Sequence, residues 1–252
     1  MDLVLESFLL SLIAGMGTGI GGIFVLLLRR SSDRFVGFSM GFASGVMLLV
    51  SFNNLFLEAE GLLTHLELII TFSLGALVMI ALDLTIPHIE LTRAAKKGEG
   101  ESSKMSRTGT LIAIGIALHN LPEGLVVAAG YTYLPRLGLI IAIAIMLHNI
   151  PEGVASAIPF TSTGMKSFKI ATITFLSGLA EPVGALVGAA TLSLAGTKSV
   201  IGSSLALAAG VMTYITADEL IPVAHEYGHK HTVSVALLLG IIFALLVDVI
   251  LS

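Results

Sequence analysis

Residues 119–153, HNLPEGLVVAAGYTYLPRLGLIIAIAIMLHNIPEG, begin and end with the same six-residue pattern, H-N-x-P-E-G. The copies, residues 119–124 and 148–153, lie 29 positions apart. Each places an imidazole, an amide and a carboxylate inside a strongly apolar segment. An ionisable group at membrane depth costs about 2.5–3.5 kcal/mol on insertion scales, so such groups usually serve a function. The duplicated pattern therefore indicates a metal site inside a membrane protein.

Histidine and glutamate are four residues apart in each copy, which places them on one face of a helix. The proline between them removes a backbone hydrogen bond and kinks the helix. We expect Pro122 to free the carbonyl of Leu118, and Pro151 that of Leu147. Freed carbonyls at membrane depth are tolerated where they line a polar cavity.

The spacing predicts a helical hairpin that brings the two copies together. The midpoint between His119 and His148 falls in the short turn at residues 131–136. About 14 residues at a rise of 1.5 Å place each copy about 21 Å from this turn, near the middle of a bilayer.

The predicted ligand set is two imidazoles and two carboxylates, from His119, Glu123, His148 and Glu152, with amides from Asn120 and Asn149. Imidazole with carboxylate suits zinc and other first-row divalent ions. Two carboxylates balance the double charge of the ion, which matters in a low dielectric. A kinked helix with a buried ion pair would explain one copy, but not two at matched depth.

The composition excludes a soluble domain. Of the 252 residues, 55% are hydrophobic and 12% are charged, and the mean hydropathy is +0.98. A soluble chain needs a far larger polar surface. The chain has no cysteine, which excludes disulfides and thiolate sites. The apolar stretch at residues 3–28 lacks a basic leader segment, so we interpret it as a transmembrane helix rather than a signal peptide.

The predicted fold is all-α, a single transmembrane domain spanning residues 1–252 with eight helices. Each candidate segment has the roughly 20 mostly apolar residues that a span requires. The predicted helices cover residues 3–28, 35–57, 66–90, 108–130, 135–158, 168–193, 199–224 and 232–251. The longest connection, residues 91–107, is polar and is expected to be a cytoplasmic loop.

Basic residues predict the orientation, because cytoplasmic loops are enriched in lysine and arginine. Of the 13 basic residues, only Arg136 and Lys198 lie after even-numbered helices. The other 11 are Arg29, Arg30, Arg34, Arg93, Lys96, Lys97, Lys104, Arg107, Lys166, Lys169 and Lys230. Both termini are therefore expected outside the cytoplasm, in a multi-pass protein of the cell membrane.

Further polar residues interrupt the apolar helices. Glu181, beside Pro182 in helix 6, repeats the pairing of carboxylate and proline, which favours a metal ligand over an unrelated ion pair. Asn53, Asn54 and Glu58 of helix 2 fit either a polar access route or an interfacial cap.

Polar residues also lie near the cytoplasmic ends of helices 3 and 7. They fit either an exit path or solvated helix ends, and they are Asp83, His88, Glu90, Asp218, Glu219, His225, Glu226, His229 and His231.

Residues 225–229, HEYGH, match the H-E-x-x-H pattern of zinc metalloproteases. That chemistry needs both histidines on one helix face, with Glu226 as the general base. Pro222 and Gly228 indicate a helix end instead. An intramembrane metalloprotease is therefore a weak alternative, and a peripheral metal-binding tail is a better interpretation.

The doubled H-N-x-P-E-G pattern, Glu181 with Pro182, and residues 218–222 with His225 and Glu226 resemble the ZIP (Zrt/Irt-like) family of divalent metal transporters, in its ZupT/GufA-like branch. Eight helices and a long loop after helix 3 match as well. The resemblance implies a transporter that brings metal into the cytoplasm, with helices 1, 4, 5 and 6 sliding against the others.

The resemblance also implies a site for two metal ions. One ion would be bound by His119, Glu123, His148 and Glu152. The second would be bound by Asn120, Asn149, Glu152 and Glu181, with Glu152 bridging.

One departure from the family concerns the loop after helix 3. It has no histidine, whereas many relatives have a histidine-rich loop there. His225, His229 and His231 are candidates to replace it.

The sequence therefore predicts a transporter and no enzyme. Zinc is the first candidate substrate, and iron, manganese, cobalt and cadmium are further ones. A non-transporting metal sensor is a second alternative. We expect no cofactor other than the transported ion. The expected partners are that ion and the lipid bilayer, with no nucleic acid, and a homodimer is one assembly that the sequence allows.

Overall fold

The computed structural model describes residues 3–28, 33–85, 101–161, 163–195 and 197–251. Within them it contains eight helices that are long and apolar enough to cross a membrane, and no strand. The prediction of an all-α membrane fold is confirmed.

The helices are α1 Leu3–Leu28; α2 Asp33–Leu49, extended by the π-helical segment Val50–Phe56 and by Leu57–Glu60; α3 His65–Thr85; α4 Glu101–Tyr133; α5 Pro135–Thr161; α6 Ser167–Gly178 and Ala180–Ala195; α7 Lys198–Ile215, the π-helical segment Thr216–Leu220 and Ile221–Tyr227; and α8 Lys230–Leu251.

The fourth helix is longer than predicted. It begins at Glu101 rather than at residue 108, so residues 101–107 of the expected polar loop are helical. A helix satisfies its own backbone hydrogen bonds, so it need not end where the apolar segment ends. Residues 91–100 of that loop, and His88 and Glu90, lie outside the described residues.

Helix α6 is broken, where the sequence predicted one continuous helix. Its first segment ends at Gly178, and its second starts at Ala180. Pro182 explains the break, because it has no N–H for the carbonyl four residues earlier, that of Gly178, and its ring clashes with that carbonyl. Glu181 therefore projects from the first turn of the second segment.

Helix α7 also departs from regular geometry ahead of a proline. The π-helical segment Thr216–Leu220 precedes Pro222, which cannot bond the carbonyl of Asp218. The helix then ends at Tyr227, and Gly228 is extended, with φ −110° and ψ 150°.

A tight hairpin joins α4 to α5, with only Leu134 between them. Close packing of the two helices requires Gly138, because a Cβ there would lie 2.6 Å from the Cβ of Tyr131. This hairpin makes the two copies of the repeated pattern antiparallel neighbours.

Glycines divide the helices into two sets. In α1, α4, α5 and α6, a Cβ on Gly21, Gly124 or Gly153 would lie 1.9–2.0 Å from a backbone carbonyl oxygen of another helix in that set. In α2, α3, α7 and α8, the same holds for Gly45 and Gly210. Among the described glycines, every such approach within 3.0 Å joins members of the same set. We call these sets the site bundle (α1, α4, α5 and α6) and the flanking bundle (α2, α3, α7 and α8).

The substitution Gly153→Ala tests this packing. The added Cβ would lie 1.9 Å from the carbonyl oxygen of Thr18 on α1. Overpacking of this kind typically costs about 1–3 kcal/mol. We expect a lower midpoint of thermal unfolding in detergent for Gly153→Ala.

The matched control is Gly61→Ala, at a helix end where the nearest atom to a Cβ is 3.5 Å away. Its midpoint should stay at the wild-type value. Equal midpoints for both variants and the wild type would contradict the close approach of α1 and α5.

Candidate metal site

Three ionisable side chains from the two pattern copies meet between α4 and α5. The Nε2 atom of His148 lies 3.0 Å from Oε1 of Glu123 and 3.5 Å from Oε1 of Glu152. One ligand atom from each residue lies within 4.8 Å of the others, a spacing that a single metal ion could bridge. All three side chains are buried, at 0–3% exposure. The hairpin and the four-residue spacing together produce this arrangement.

The two asparagines are fixed by backbone carbonyls of other helices in the site bundle. The Nδ2 atom of Asn120 donates to the carbonyl oxygen of Ser177, just before the break in α6, at 3.0 Å. The Nδ2 atom of Asn149 donates to the carbonyl oxygen of Ala14 at 3.1 Å and to Oε2 of Glu181 at 2.9 Å. The break in α6 thus places Glu181 beside the second copy of the pattern.

These side chains leave several buried ligand atoms without a hydrogen bond. They are both oxygens of Glu123 and Glu152, both nitrogens of His148, Oε1 of Glu181 and Oδ1 of Asn120 and Asn149. Among the described residues, no lysine or arginine pairs with the three carboxylates. A buried carboxylate needs a compensating charge or hydrogen bonds. Imidazole, carboxylate and amide oxygen atoms together suit a divalent cation such as zinc.

His119 is buried as well, but it is directed towards the flanking bundle. Its Nδ1 atom lies 2.9 Å from Oε2 of Glu219 in the π-helical segment of α7. It is therefore not a member of the three-residue group formed by Glu123, His148 and Glu152. The sequence placed Glu219 only on an exit path or at a solvated helix end. The sequence around Glu219, between Ile215 and Pro222, contains no pattern that predicts a contact with His119 on α4.

Two of the three polar residues singled out in α2, Asn53 and Asn54, pair with α8, whereas Glu58 interacts with the hydroxyl of Tyr133 on α4. The Nδ2 atoms of Asn53 and Asn54 donate to the carboxylate of Asp248 at 3.4 and 3.3 Å. Arg136, at the start of α5, lies 3.6 Å from the same carboxylate. Arg136 of the site bundle therefore contacts the flanking bundle near the chain termini, and the two asparagines are bonded within the flanking bundle.

Asp83, near the C-terminal end of α3, accepts a hydrogen bond at 3.2 Å from the hydroxyl of Tyr214 on α7.

The H-E-x-x-H pattern does not have the geometry of a metalloprotease. The helix ends at Tyr227, so His225 and His229 do not share a helix face. The Nδ1 atom of His225 lies 2.9 Å from the carbonyl oxygen of Ile221 in its own helix.

Comparison with known proteins shows the family of the chain. A family profile described as "ZIP Zinc transporter" matches residues 86–248. A "Zinc transporter ZupT" from Chlorobium phaeovibrioides is 39% identical over 254 residues, covering 95% of this chain and 96% of the relative. The chain belongs to the ZIP zinc transporter family. Proteins with the same description from Nitratidesulfovibrio vulgaris and Streptococcus mutans are 38% and 36% identical, and the alignments cover 90% and 89% of each chain.

Membership of the ZIP family establishes the general function. The chain is a membrane protein that transports metal, with a metal ion as its substrate, and it is not an enzyme. The metalloprotease alternative is therefore wrong, and the buried donor atoms are chemically suited to the substrate of a metal transporter.

The substitution His148→Ala tests the three-residue group. Removing one of its three side chains should weaken zinc binding at least about tenfold, equivalent to about 1.4 kcal/mol. Isothermal titration of purified protein with zinc would measure the change.

The control His65→Ala removes an imidazole whose side chain is 87% exposed and lies 3.7 Å from Glu60. Its zinc affinity should match the wild type. Unchanged affinity in folded His148→Ala would show that zinc binds elsewhere.

Proposed function

We propose that this chain imports divalent transition metal ions across the cell membrane into the cytoplasm, with zinc as the first substrate. Iron, manganese, cobalt and cadmium are further candidates, since the same donor atoms bind first-row divalent ions. One observation carries the proposal. Glu123, His148, Glu152 and Glu181 are buried in one bundle, and no lysine or arginine pairs with their carboxylates among the described residues.

The proposed site holds two ions that share Glu152. Glu123, His148 and Glu152 bind the first, and their mutual distances support this assignment. His119 completes this set by turning from Glu219 towards Glu123, one helical turn away on the same helix face.

Asn120, Asn149, Glu152 and Glu181 bind the second ion. The hydrogen bond from Asn149 to Glu181 and the unpartnered Oδ1 atoms of both asparagines support it. The ions are the substrate, and no resident cofactor is part of the proposal.

The proposed orientation has both termini outside the cytoplasm. Its support is the bias of the basic residues, which follows the positive-inside rule. In this orientation Glu219 lies on the cytoplasmic side of His119, and its side chain is 37% exposed.

We further propose that the site bundle moves as one unit against the flanking bundle. The glycine approaches lock helices together within each bundle and not between them. Polar side-chain contacts do cross between the bundles, as between His119 and Glu219 and between Arg136 and Asp248. Contacts between side chains can be exchanged during a movement, whereas interlocked backbones cannot.

Zinc uptake into proteoliposomes tests the function. The wild type should accumulate zinc, and Glu152→Ala should abolish uptake, because it removes the carboxylate proposed to bind both ions. Glu226→Gln should transport like the wild type, because Glu226 is exposed at the end of α7. Size-exclusion chromatography would establish that each variant is folded.

Retained uptake by folded Glu152→Ala would refute the role of that residue. Binding of zinc without uptake in the wild type would favour the metal sensor. Loss of uptake in Glu226→Gln alone would move the site to residues 225–229.

A further inference from the structure

Two polar contacts join the site bundle to the flanking bundle at the end of the molecule that holds both chain termini. The guanidinium of Arg136 on α5 donates through Nη2 to the carbonyl oxygen of Asp248 on α8 at 3.2 Å, and it lies 3.6 Å from Oδ1 of the same residue. The hydroxyl of Tyr133, at the end of α4, donates to the carboxylate of Glu58 on α2. Both contacts therefore start beside the short turn between α4 and α5.

The charges of Arg136 and Asp248 lie where general rules disfavour them. Arg136 is the second residue of α5, although a helix N-terminus disfavours a cation. Asp248 lies in the last turn of α8, although a helix C-terminus disfavours an anion. Arg136 and Lys198 are also the only basic residues that follow even-numbered helices, on the side where basic residues are scarce. The pairing of Arg136 with Asp248 offsets these costs, which indicates that each charge is present for the other.

The structure allows this pair to separate without leaving a charge unpartnered. The Nδ2 atoms of Asn53 and Asn54 donate to the carboxylate of Asp248 at 3.4 and 3.3 Å, so this carboxylate keeps two partners when Arg136 leaves. The side chains of Arg136 and Asp248 are 37% and 26% exposed, so water can reach both. Ion pairs that water can reach contribute little to stability. The contact can therefore form and break during a transport cycle.

The flanking bundle has an irregular helical segment at the places where charged pairs cross the boundary. Asn53 and Asn54, which hold Asp248, lie in the π-helical segment of α2. Glu219, which contacts His119, lies in the π-helical segment of α7. Such segments are frequent at functional sites. The surroundings of the Arg136 pair thus resemble those of the pair beside the proposed metal site.

We propose that Arg136 and Tyr133 form a latch with Asp248 and Glu58 that closes the boundary between the two bundles on the side of the chain termini. We call these four residues the terminal latch. A divalent cation from that side reaches the proposed metal site only after the latch has opened. While the latch is closed, the guanidinium also opposes the approach of a cation by charge repulsion. This inference rests on the proposed movement of one bundle against the other, and it names the residues that hold the closed state.

A cross-link between the two halves of the latch tests it, because the chain has no native cysteine to interfere. The double variant Arg136→Cys with Asp248→Cys, in proteoliposomes, is treated with a bismethanethiosulfonate that has a flexible spacer. The bridge should reduce zinc uptake at least about tenfold, because the bundles can no longer separate at this end. A reducing agent should restore the uptake. Mass spectrometry establishes that the bridge has formed.

The matched control is the double variant Asn53→Cys with Asp248→Cys. Its bridge replaces a contact of 3.4 Å inside the flanking bundle, so uptake should stay at the level measured before the reagent was added. A bridge between positions 136 and 248 that leaves uptake unchanged would overturn the proposal. So would a reagent that bridges the control pair but not the latch pair.

Point substitutions test the latch without a cross-link. Arg136→Gln and Asp248→Asn each weaken it, so a larger fraction of the protein is open towards the termini. The zinc concentration for half-maximal uptake from that side should therefore fall at least about threefold in both variants. The double variant should shift no further than either single variant, because all three lack the same contact.

Surface charge alone would give a different result. Arg136→Gln and Asp248→Asn change the net charge in opposite directions, so a purely electrostatic effect would move their half-maximal concentrations apart. Lys198→Gln removes the other basic residue of that side and should keep the wild-type value. Opposite shifts, or no shift in either variant, would contradict the latch. These comparisons are made between proteins that transport zinc, so they are distinct from an absence of uptake in the wild type, which would refute the proposed function itself.

Discussion

The constraint on which this structure depends is the burial of negative charge. Glu123, Glu152 and Glu181 lie in the centre of four membrane-spanning helices, and among the described residues no lysine or arginine balances them. Carboxylates in such a medium must be neutralised or must bind a cation. His148 contacts two of them, with its Nε2 atom 3.0 Å from Glu123 and 3.5 Å from Glu152. The proposed role of these residues in binding the transported ion accounts for this burial of charge.

Glycine and proline build the surroundings that the charged groups need. Gly124 lets α4 approach the backbone of α6 at Glu181, and Gly153 lets α5 approach α1 at Thr18. Pro182 breaks α6 so that Glu181 starts a new helical segment beside Asn149. Each copy of the repeated pattern therefore supplies proposed ligands and the glycine that packs them against a neighbouring helix. The site and the packing of the bundle are one feature of the sequence.

Much of the fold could be predicted because it follows from local rules. Apolar length gave the eight helices, and the short turn after Tyr133 gave the hairpin that joins Glu123 to His148. Contacts between distant helices could not be predicted. No periodicity relates His119 to Glu219 or Asn54 to Asp248, which are 100 and 194 residues apart. Such pairs depend on how distant helices pack against one another, and no local pattern in the sequence indicates that packing.

The most direct test of the central claim is zinc K-edge X-ray absorption of the zinc-loaded protein. The structure predicts a first shell of nitrogen and oxygen atoms, with the outer-shell scattering of an imidazole from His148. The imidazole signal should weaken in His148→Ala and stay unchanged in His65→Ala. A zinc ion surrounded only by water oxygens, or a spectrum unaltered by His148→Ala, would contradict the proposal that the buried carboxylates and imidazole hold the ion.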